Sequence, residues 1–121
     1  MKNRKTLKRQ YLETKTRAGV YAIRNQITGR ALVDGSTNAQ GTLNRHRFEL
    51  QHGQHRNAGL AQDWVEHGET NFLFDVLEMV KHSEDVAFNV ARELEILVSL
   101  WRQEIPCVGK FGYDGPRSEP R

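Results

Sequence analysis

Two short segments near the start of the chain constrain its fold more than any other feature. Gly19-Val20-Tyr21 is followed by a turn-forming stretch, residues 25–29, and then by Leu32-Val33-Asp34-Gly35-Ser36. β-Branched and aromatic residues on either side of Asn and Gly, which tolerate the positive φ of tight turns, predict a β-hairpin over residues 19–34. The hairpin would place a tyrosine beside a loop that begins at a glycine.

The elements expected after the hairpin predict an α/β domain. Helices are indicated over residues 42–52, with Thr42 as the N-cap, and over residues 57–68. The continuous apolar run over residues 72–80 predicts a buried third strand, and a last helix with one apolar stripe is expected to start at Ser83. We therefore expect a small three-stranded sheet, antiparallel or mixed, flanked by helices.

The first residues of the chain are strongly basic. Residues 1–17 hold seven lysines and arginines against Glu13 alone, a net charge of +6, which leaves −3 on the rest because the whole chain is +3. A basic helix that contacts phosphate groups is one hypothesis, and a solvated helix start is the alternative. We divide the chain into a basic helical arm (1–18), one domain (19–113) and a disordered tail (114–121).

Composition excludes several classes of protein. The chain of 121 residues suits one domain, and it has no apolar run near the roughly 20 residues that span a bilayer. Its single cysteine, Cys107, has no disulfide partner within the chain, which predicts a reducing, cytoplasmic location without membrane contact. His52, His55 and Cys107 are too scattered to predict a zinc site.

A second informative feature is an ordered series of residues that begins after the hairpin and ends near Glu78. They are Asn44-Arg45-His46-Arg47, Leu50, Gly53, His55, Asn57, Leu60, Asp63-Trp64, Gly68 and residues 72–78. Together with the hairpin, this series resembles the GIY-YIG nuclease superfamily, and in particular its small stand-alone members. The resemblance implies the α/β fold described above and a DNA endonuclease that hydrolyses phosphodiester bonds.

The resemblance also implies a set of catalytic groups. Members of the superfamily use one divalent metal ion, Mg²⁺ or Mn²⁺, held by a glutamate, with a tyrosine that helps to activate water and an arginine that neutralises the phosphate. Tyr21 matches the first tyrosine and His46 the histidine of the following helix. Glu95 is the candidate metal ligand, with Glu93 as the alternative, because the register of the last helix is open within one turn.

The second motif departs from the family pattern. The second tyrosine falls at Leu32 or Val33, neither of which has a hydroxyl group, and the arginine falls at Thr42. Arg45 or Arg47 is then expected to contact the phosphate from another point on the helix.

Three functions follow from these residues. The first is a metal-dependent DNA endonuclease, the second a weakened or inactive module that binds DNA or RNA on the same fold, and the third a protein-interaction domain. The DNA structure preferred and the oligomeric state are left open. The residues expected to contact nucleic acid are Lys5, Lys8, Arg9, Lys15, Arg17, His55 and Asn57.

Overall fold

A three-stranded antiparallel sheet forms the centre of the structure, a computed structural model that describes residues 15–81, 89–107 and 112–113. The strands are β1 (Lys15–Asn25), β2 (Ala31–Ser36) and β3 (Phe72–Lys81). The middle strand, β1, pairs antiparallel with both neighbours, in the order β2-β1-β3. The expected α/β fold is therefore confirmed, and the three strands are antiparallel rather than mixed.

Two helices cover one face of the sheet and a third covers the other. Each helix is preceded by an asparagine whose side-chain oxygen accepts a backbone N–H of the first turn, which satisfies one of the donors left open at a helix start. The helices are α1 (Ala39–Gln51), α2 (Ala58–His67) and α3 (Val90–Glu104), and a short 3₁₀ turn (Glu69–Asn71) precedes β3.

Alternation along β1 sorts the core into two clusters. Tyr21 and Ile23 pack against α1 and α2, whereas Val20 and Ala22 pack against α3. Because successive side chains of a strand point to opposite faces, neighbouring residues enter different environments. We call the first the tyrosine face and the second the α3 face.

The glycines of the two hairpin segments make close approaches possible. A Cβ atom at Gly19 would lie 2.6 Å from the backbone oxygen of Glu78 on β3. A Cβ atom at Gly35 would lie 2.5 Å from the Val98 side chain on α3. Both distances are shorter than van der Waals contact, so each glycine is needed for packing rather than for an unusual backbone angle.

The third strand is less buried than expected. Phe72 and Val80 are buried, but Leu73 and Met79 are about 40% exposed. The prediction of a buried strand was wrong in this respect, because β3 is an edge strand of the sheet that the described residues form.

The first helix begins earlier than the sequence indicated, and the last helix begins later. The first starts at Ala39 after Asn38, so Thr42 lies inside α1, where its hydroxyl is 2.6 Å from that of Ser36. The last starts at Val90 after Asn89 rather than at Ser83, which lies outside the described residues. In both cases a nearby asparagine, rather than the predicted hydroxyl residue, supplies the cap.

The helix predicted for the basic arm does not extend to residue 17. Residues 15–17 belong to β1, so the sheet starts before the expected domain boundary at residue 19. Residues 1–14, with Lys5, Lys8 and Arg9, and the tail 114–121 lie outside the described part. None of the helices in the described part is both long and apolar enough to cross a membrane.

Candidate active site

A chain of hydrogen bonds runs from the middle strand to the start of α2. The Tyr21 hydroxyl oxygen lies 3.1 Å from His46 Nε2, and His46 Nδ1 lies 2.7 Å from His55 Nε2. The backbone N–H of Asn57 donates to His55 Nδ1 at 3.0 Å. Four groups from a strand, a helix and a loop are thus connected on the tyrosine face.

The helical spacing of α1 explains how His46 reaches Tyr21. Leu43 and Leu50, three residues before and four residues after His46, are both buried in the cluster that contains Tyr21. Residues three and four apart lie on the same side of a helix, so the burial of these leucines turns His46 toward the sheet. His46 itself is half-buried at the edge of the apolar surface.

An open cavity of about 510 Å³ lies beside this chain of hydrogen bonds. Its walls combine two histidines, two arginines, two carboxylates and a tyrosine from distant parts of the sequence. Such a mixture of charges suits a charged ligand better than an apolar one. The lining residues are Leu32, Asp34, Arg45, His46, Glu49, His55, Arg56, Asn57, Ala58 and Tyr113.

Both histidines are held in the neutral form. Burial lowers the pKa of His46 below its ordinary value of 6.5, and His55 lowers it further, while Glu49 acts in the opposite direction. Burial likewise lowers the pKa of His55. The negative charge of Glu49 acts to raise this pKa, and the positive charge of Arg56 acts to lower it. Desolvation disfavours the imidazolium form, so neutral rings dominate at neutral pH.

Ligand-type atoms of His46, Glu49 and His55 lie within 4.8 Å of one another. A neutral imidazole has one unprotonated nitrogen, and in His55 that nitrogen, Nδ1, accepts the Asn57 N–H. His55 Nε2 therefore carries the ring proton and is not available to a metal ion. The three residues do not fit a metal centre in this arrangement.

The predicted metal ligand lies on the helix that covers the other face. Glu95 is exposed on α3, between Leu94 and Leu97 of the α3-face cluster. Glu93 is half-buried and lines a shallow groove with Glu78 and Lys81. A single exposed carboxylate suits Mg²⁺, which keeps several waters. The assignment of Glu95 stays a prediction.

Of the two arginines proposed for the phosphate, one lines the cavity. Arg45 is exposed at its rim, with Nε 4.0 Å from a Glu49 oxygen. Arg47 instead lies over the Phe74 ring, with its guanidinium carbon 4.4 Å from the ring centre. Arg56 also lines the cavity and was missed in the sequence, although its position between His55 and Asn57 was a usable signal.

The segment after the hairpin turn, residues 32–36, contributes one apolar residue and one carboxylate to the cavity. Leu32, not Val33, shares the tyrosine face with Tyr21. Asp34 lies directly opposite Tyr21 in the register of β1 and β2. Directly opposed residues point to the same face, which explains why Asp34 reaches the cavity.

Tyr113 is buried in the cluster of the tyrosine face and lines the cavity. Its hydroxyl donates to Asp63 at 2.7 Å and accepts from Asn25 at 3.0 Å, while Arg30 contacts the same carboxylate at 3.2 Å. Burial and the bond to Asp63 raise the pKa of Tyr113 to about 12. The side-chain amide of Asn57 donates to the Tyr113 carbonyl at 2.8 Å, within the chain.

The remaining predicted residues lie apart from the cavity. Arg17 is exposed on β1 and Lys15 begins the same strand. His52 is exposed and stacks on Phe48, and Cys107 is buried on the α3 face, so neither joins His55 in a zinc site.

Two solved structures that are similar to this chain are of the catalytic domain of one endonuclease. The catalytic domain of the homing endonuclease I-TevI matches with 24% identity over 79% of this chain and 95% of that chain, at a TM-score of 0.57. A mutant of the catalytic domain of the intron endonuclease I-TevI matches with 22% identity over 73% and 82%, at a TM-score of 0.52. No protein-family model and no curated protein matched the chain. The chain therefore has the fold of this endonuclease catalytic domain, which is the α/β fold that the sequence resemblance implied.

Proposed function

We propose that this protein is an endonuclease that hydrolyses phosphodiester bonds of DNA with the help of a divalent metal ion. The observation that carries the proposal is the hydrogen bond between the buried Tyr21 and His46, which lines a charged cavity. It occurs on a fold shared with a homing endonuclease catalytic domain.

Tyr21 is the group that activates the attacking water. In its ionised form the tyrosine oxygen takes a proton from water while the water oxygen bonds to phosphorus. The bond from phosphorus to the leaving sugar oxygen breaks, and that oxygen takes a proton from solvent. His46 holds the Tyr21 side chain in position through the 3.1 Å contact.

Arg45 and Arg56 bind the phosphate. Both line the cavity, and the planar guanidinium group matches the geometry of a phosphate, to which it can donate two hydrogen bonds. A fixed cation near the phosphate typically contributes a factor of about 10² to 10³ in rate. The two residues would replace the family arginine, which is absent because Thr42 occupies its position and bonds to Ser36.

The metal ion, Mg²⁺ or Mn²⁺, would polarise the phosphate oxygens and stabilise the charge that develops there. Glu95 is the ligand that the resemblance implies, and its carboxylate oxygen suits a hard cation. Asp34 and Glu49 are carboxylates that line the cavity itself. The variants Glu95→Gln, Glu93→Gln and Asp34→Asn separate these candidates through the Mn²⁺ concentration that gives half-maximal cleavage. We expect the largest shift for Glu95→Gln, and a shift confined to Asp34→Asn would move the ligand to the cavity.

The alternative function is a nucleic-acid-binding module that does not cleave. It is favoured by Leu32, which is buried where the family has a hydroxyl group, and by Thr42, which carries no charge. Such a module would bind DNA in a salt-dependent manner because phosphate contacts release counterions.

Cleavage assays decide between the two functions. Purified protein is incubated with single-stranded, duplex and branched DNA in the presence of Mn²⁺ or Mg²⁺, with a chelator in parallel. The His46→Ala variant, purified in the same way, controls for contaminating nucleases. Metal-dependent cleavage lost in the variant is expected. Binding without cleavage would support the alternative, and the absence of both would contradict both functions.

A further inference from the structure

The series of hydrogen bonds from Tyr21 through His46 and His55 to Asn57 has a defined direction. It ends at the backbone N–H of Asn57, which can only donate. His55 Nδ1 accepts this bond and is therefore unprotonated. In the neutral ring the proton lies on Nε2, which faces His46 Nδ1 at 2.7 Å. That nitrogen must accept, so neutral His46 carries its proton on Nε2 and donates it to the Tyr21 oxygen.

A second proton on either ring has no place in this arrangement. It would have to enter between His46 and His55, where one proton already lies, or displace the bond from Asn57. The titratable and charged groups that act on His46 are His55, Glu49, Arg45 and Asp34, and those that act on His55 are Glu49 and Arg56. The carboxylates raise the pKa of each ring and the arginines lower it, so their effects oppose each other. Burial is the largest influence on both pKa values and favours the neutral rings.

We infer that the Asn57 N–H and His55 are positioning groups that make His46 a hydrogen-bond donor to Tyr21. A donor directed at an oxygen favours negative charge on it, so His46 supports an ionised tyrosine rather than accepting its proton. The catalytic meaning of this assignment rests on the proposed function. The tautomers themselves do not, since they follow from the hydrogen bonds alone.

The tautomers are measured by long-range ¹H–¹⁵N NMR of histidine-labelled protein at about pH 8, above the ordinary histidine pKa of about 6.5. Single variants assign the resonances. We expect Nε2 to be protonated and Nδ1 to be unprotonated in both rings. A His46 ring protonated on Nδ1 would overturn the inference, whether or not the protein cleaves DNA. Correct tautomers in a protein that does not cleave would instead count only against the proposed function.

Two substitutions at residue 57 isolate the backbone N–H. Proline fits the backbone there, since φ of Asn57 is −80°, and it removes the N–H, whereas alanine removes the same side chain and keeps the N–H. We expect the His46 tautomer of wild type in Asn57→Ala and a mixture of both tautomers in Asn57→Pro. Wild-type tautomers in folded Asn57→Pro would overturn the role of the N–H.

His55→Ala provides a second route if circular dichroism shows that Asn57→Pro does not fold. Removing the His55 donor leaves His46 Nδ1 facing solvent or the enlarged cavity. The ring proton of neutral His46 should then be distributed over its two nitrogens. A His46 ring that remains protonated only on Nε2 in this variant would show that His55 does not set the tautomer, and the inference would be wrong.

Discussion

The two faces of the sheet are built from alternate residues of the same strand, yet they differ in almost every property. On the α3 face, Val20 and Ala22 are fully buried against a helix. On the tyrosine face, Tyr21 lies between them in sequence and contacts His46, which lines a polar cavity. Neighbouring residues of one strand thus make an apolar contact on one face and join a chain of polar side chains on the other.

Polar groups also have different uses on the two faces. On the α3 face they attach the helix to the sheet: Trp101 Nε1 donates to Glu78 at 2.8 Å, and Arg102 donates to the Val33 carbonyl at 3.3 Å. On the tyrosine face the hydrogen bonds join Tyr21, His46 and His55 in a series that ends at the Asn57 backbone N–H, and both histidines line the cavity. Substitutions on the first face should therefore change stability, and those on the second should change activity.

The largest expected effect separates the two faces at adjacent residues. Tyr21→Phe should lower the cleavage rate by about 10² to 10⁴-fold, the usual contribution of a positioned proton-transfer group, with about 1 kcal/mol lost in stability. Val20→Ala should lower the free energy of unfolding by about 2 kcal/mol and leave the rate per folded molecule unchanged. Urea denaturation and cleavage assays measure both quantities. Equal rate losses would contradict the division between the faces.

A glycine substitution tests the approach of two strands next to Tyr21. Gly19→Ala should destabilise the protein by about 1 to 3 kcal/mol, because the new Cβ atom meets the Glu78 backbone oxygen. The same change at Gly59 in α2 meets nothing closer than 3.6 Å and should stabilise the helix by about 0.5 to 1 kcal/mol. Thermal unfolding measures the stability change in both variants. Changes of the same sign would contradict the idea that the close approach of β1 and β3 requires a glycine at residue 19.

Charge removal distinguishes the cavity from the rest of the surface. Arg56→Gln and Arg45→Gln should each weaken DNA binding and reduce the slope of log affinity against log salt by about 1. Arg92→Gln removes the same charge from exposed α3 and serves as the control, with an unchanged slope expected. Fluorescence anisotropy over a range of salt gives the slopes. A similar change in all three variants would indicate a nonspecific charge effect.

The smallest effect concerns pH. Since burial lowers the pKa of both His46 and His55, the unfolded chain binds more protons than the folded one below the ordinary value of 6.5. The free energy of unfolding should therefore fall as the pH drops below about 6.5, and be insensitive to these residues above it. Urea denaturation of wild type and of the double variant His46→Gln/His55→Gln should show a shallower dependence in the variant. Identical dependences would contradict buried, neutral rings.

Local patterns predicted most of the elements. The hairpin turn forms as expected, with the Asn25 side chain accepting from the N–H groups of Ile27 and Thr28, and α2 starts after Asn57 and ends at Gly68 with positive φ. These features depend on residues within one turn of each other, so the sequence alone specifies them. The edge position of β3 was not predictable in this way, because strand order depends on pairing between distant segments.

Gly19-Val20-Tyr21 and the following series predicted the fold, and through their resemblance to the GIY-YIG superfamily they placed Tyr21 and His46 among the candidate residues. Only the tertiary structure decided that Arg45 rather than Arg47 lines the cavity, that Arg56 joins it, and that the Asn57 N–H orders the protons of two histidines. These relations depend on the rotation of helices against the sheet and on a loop that brings His55 to His46. Packing of the whole core sets both, and no local pattern encodes them.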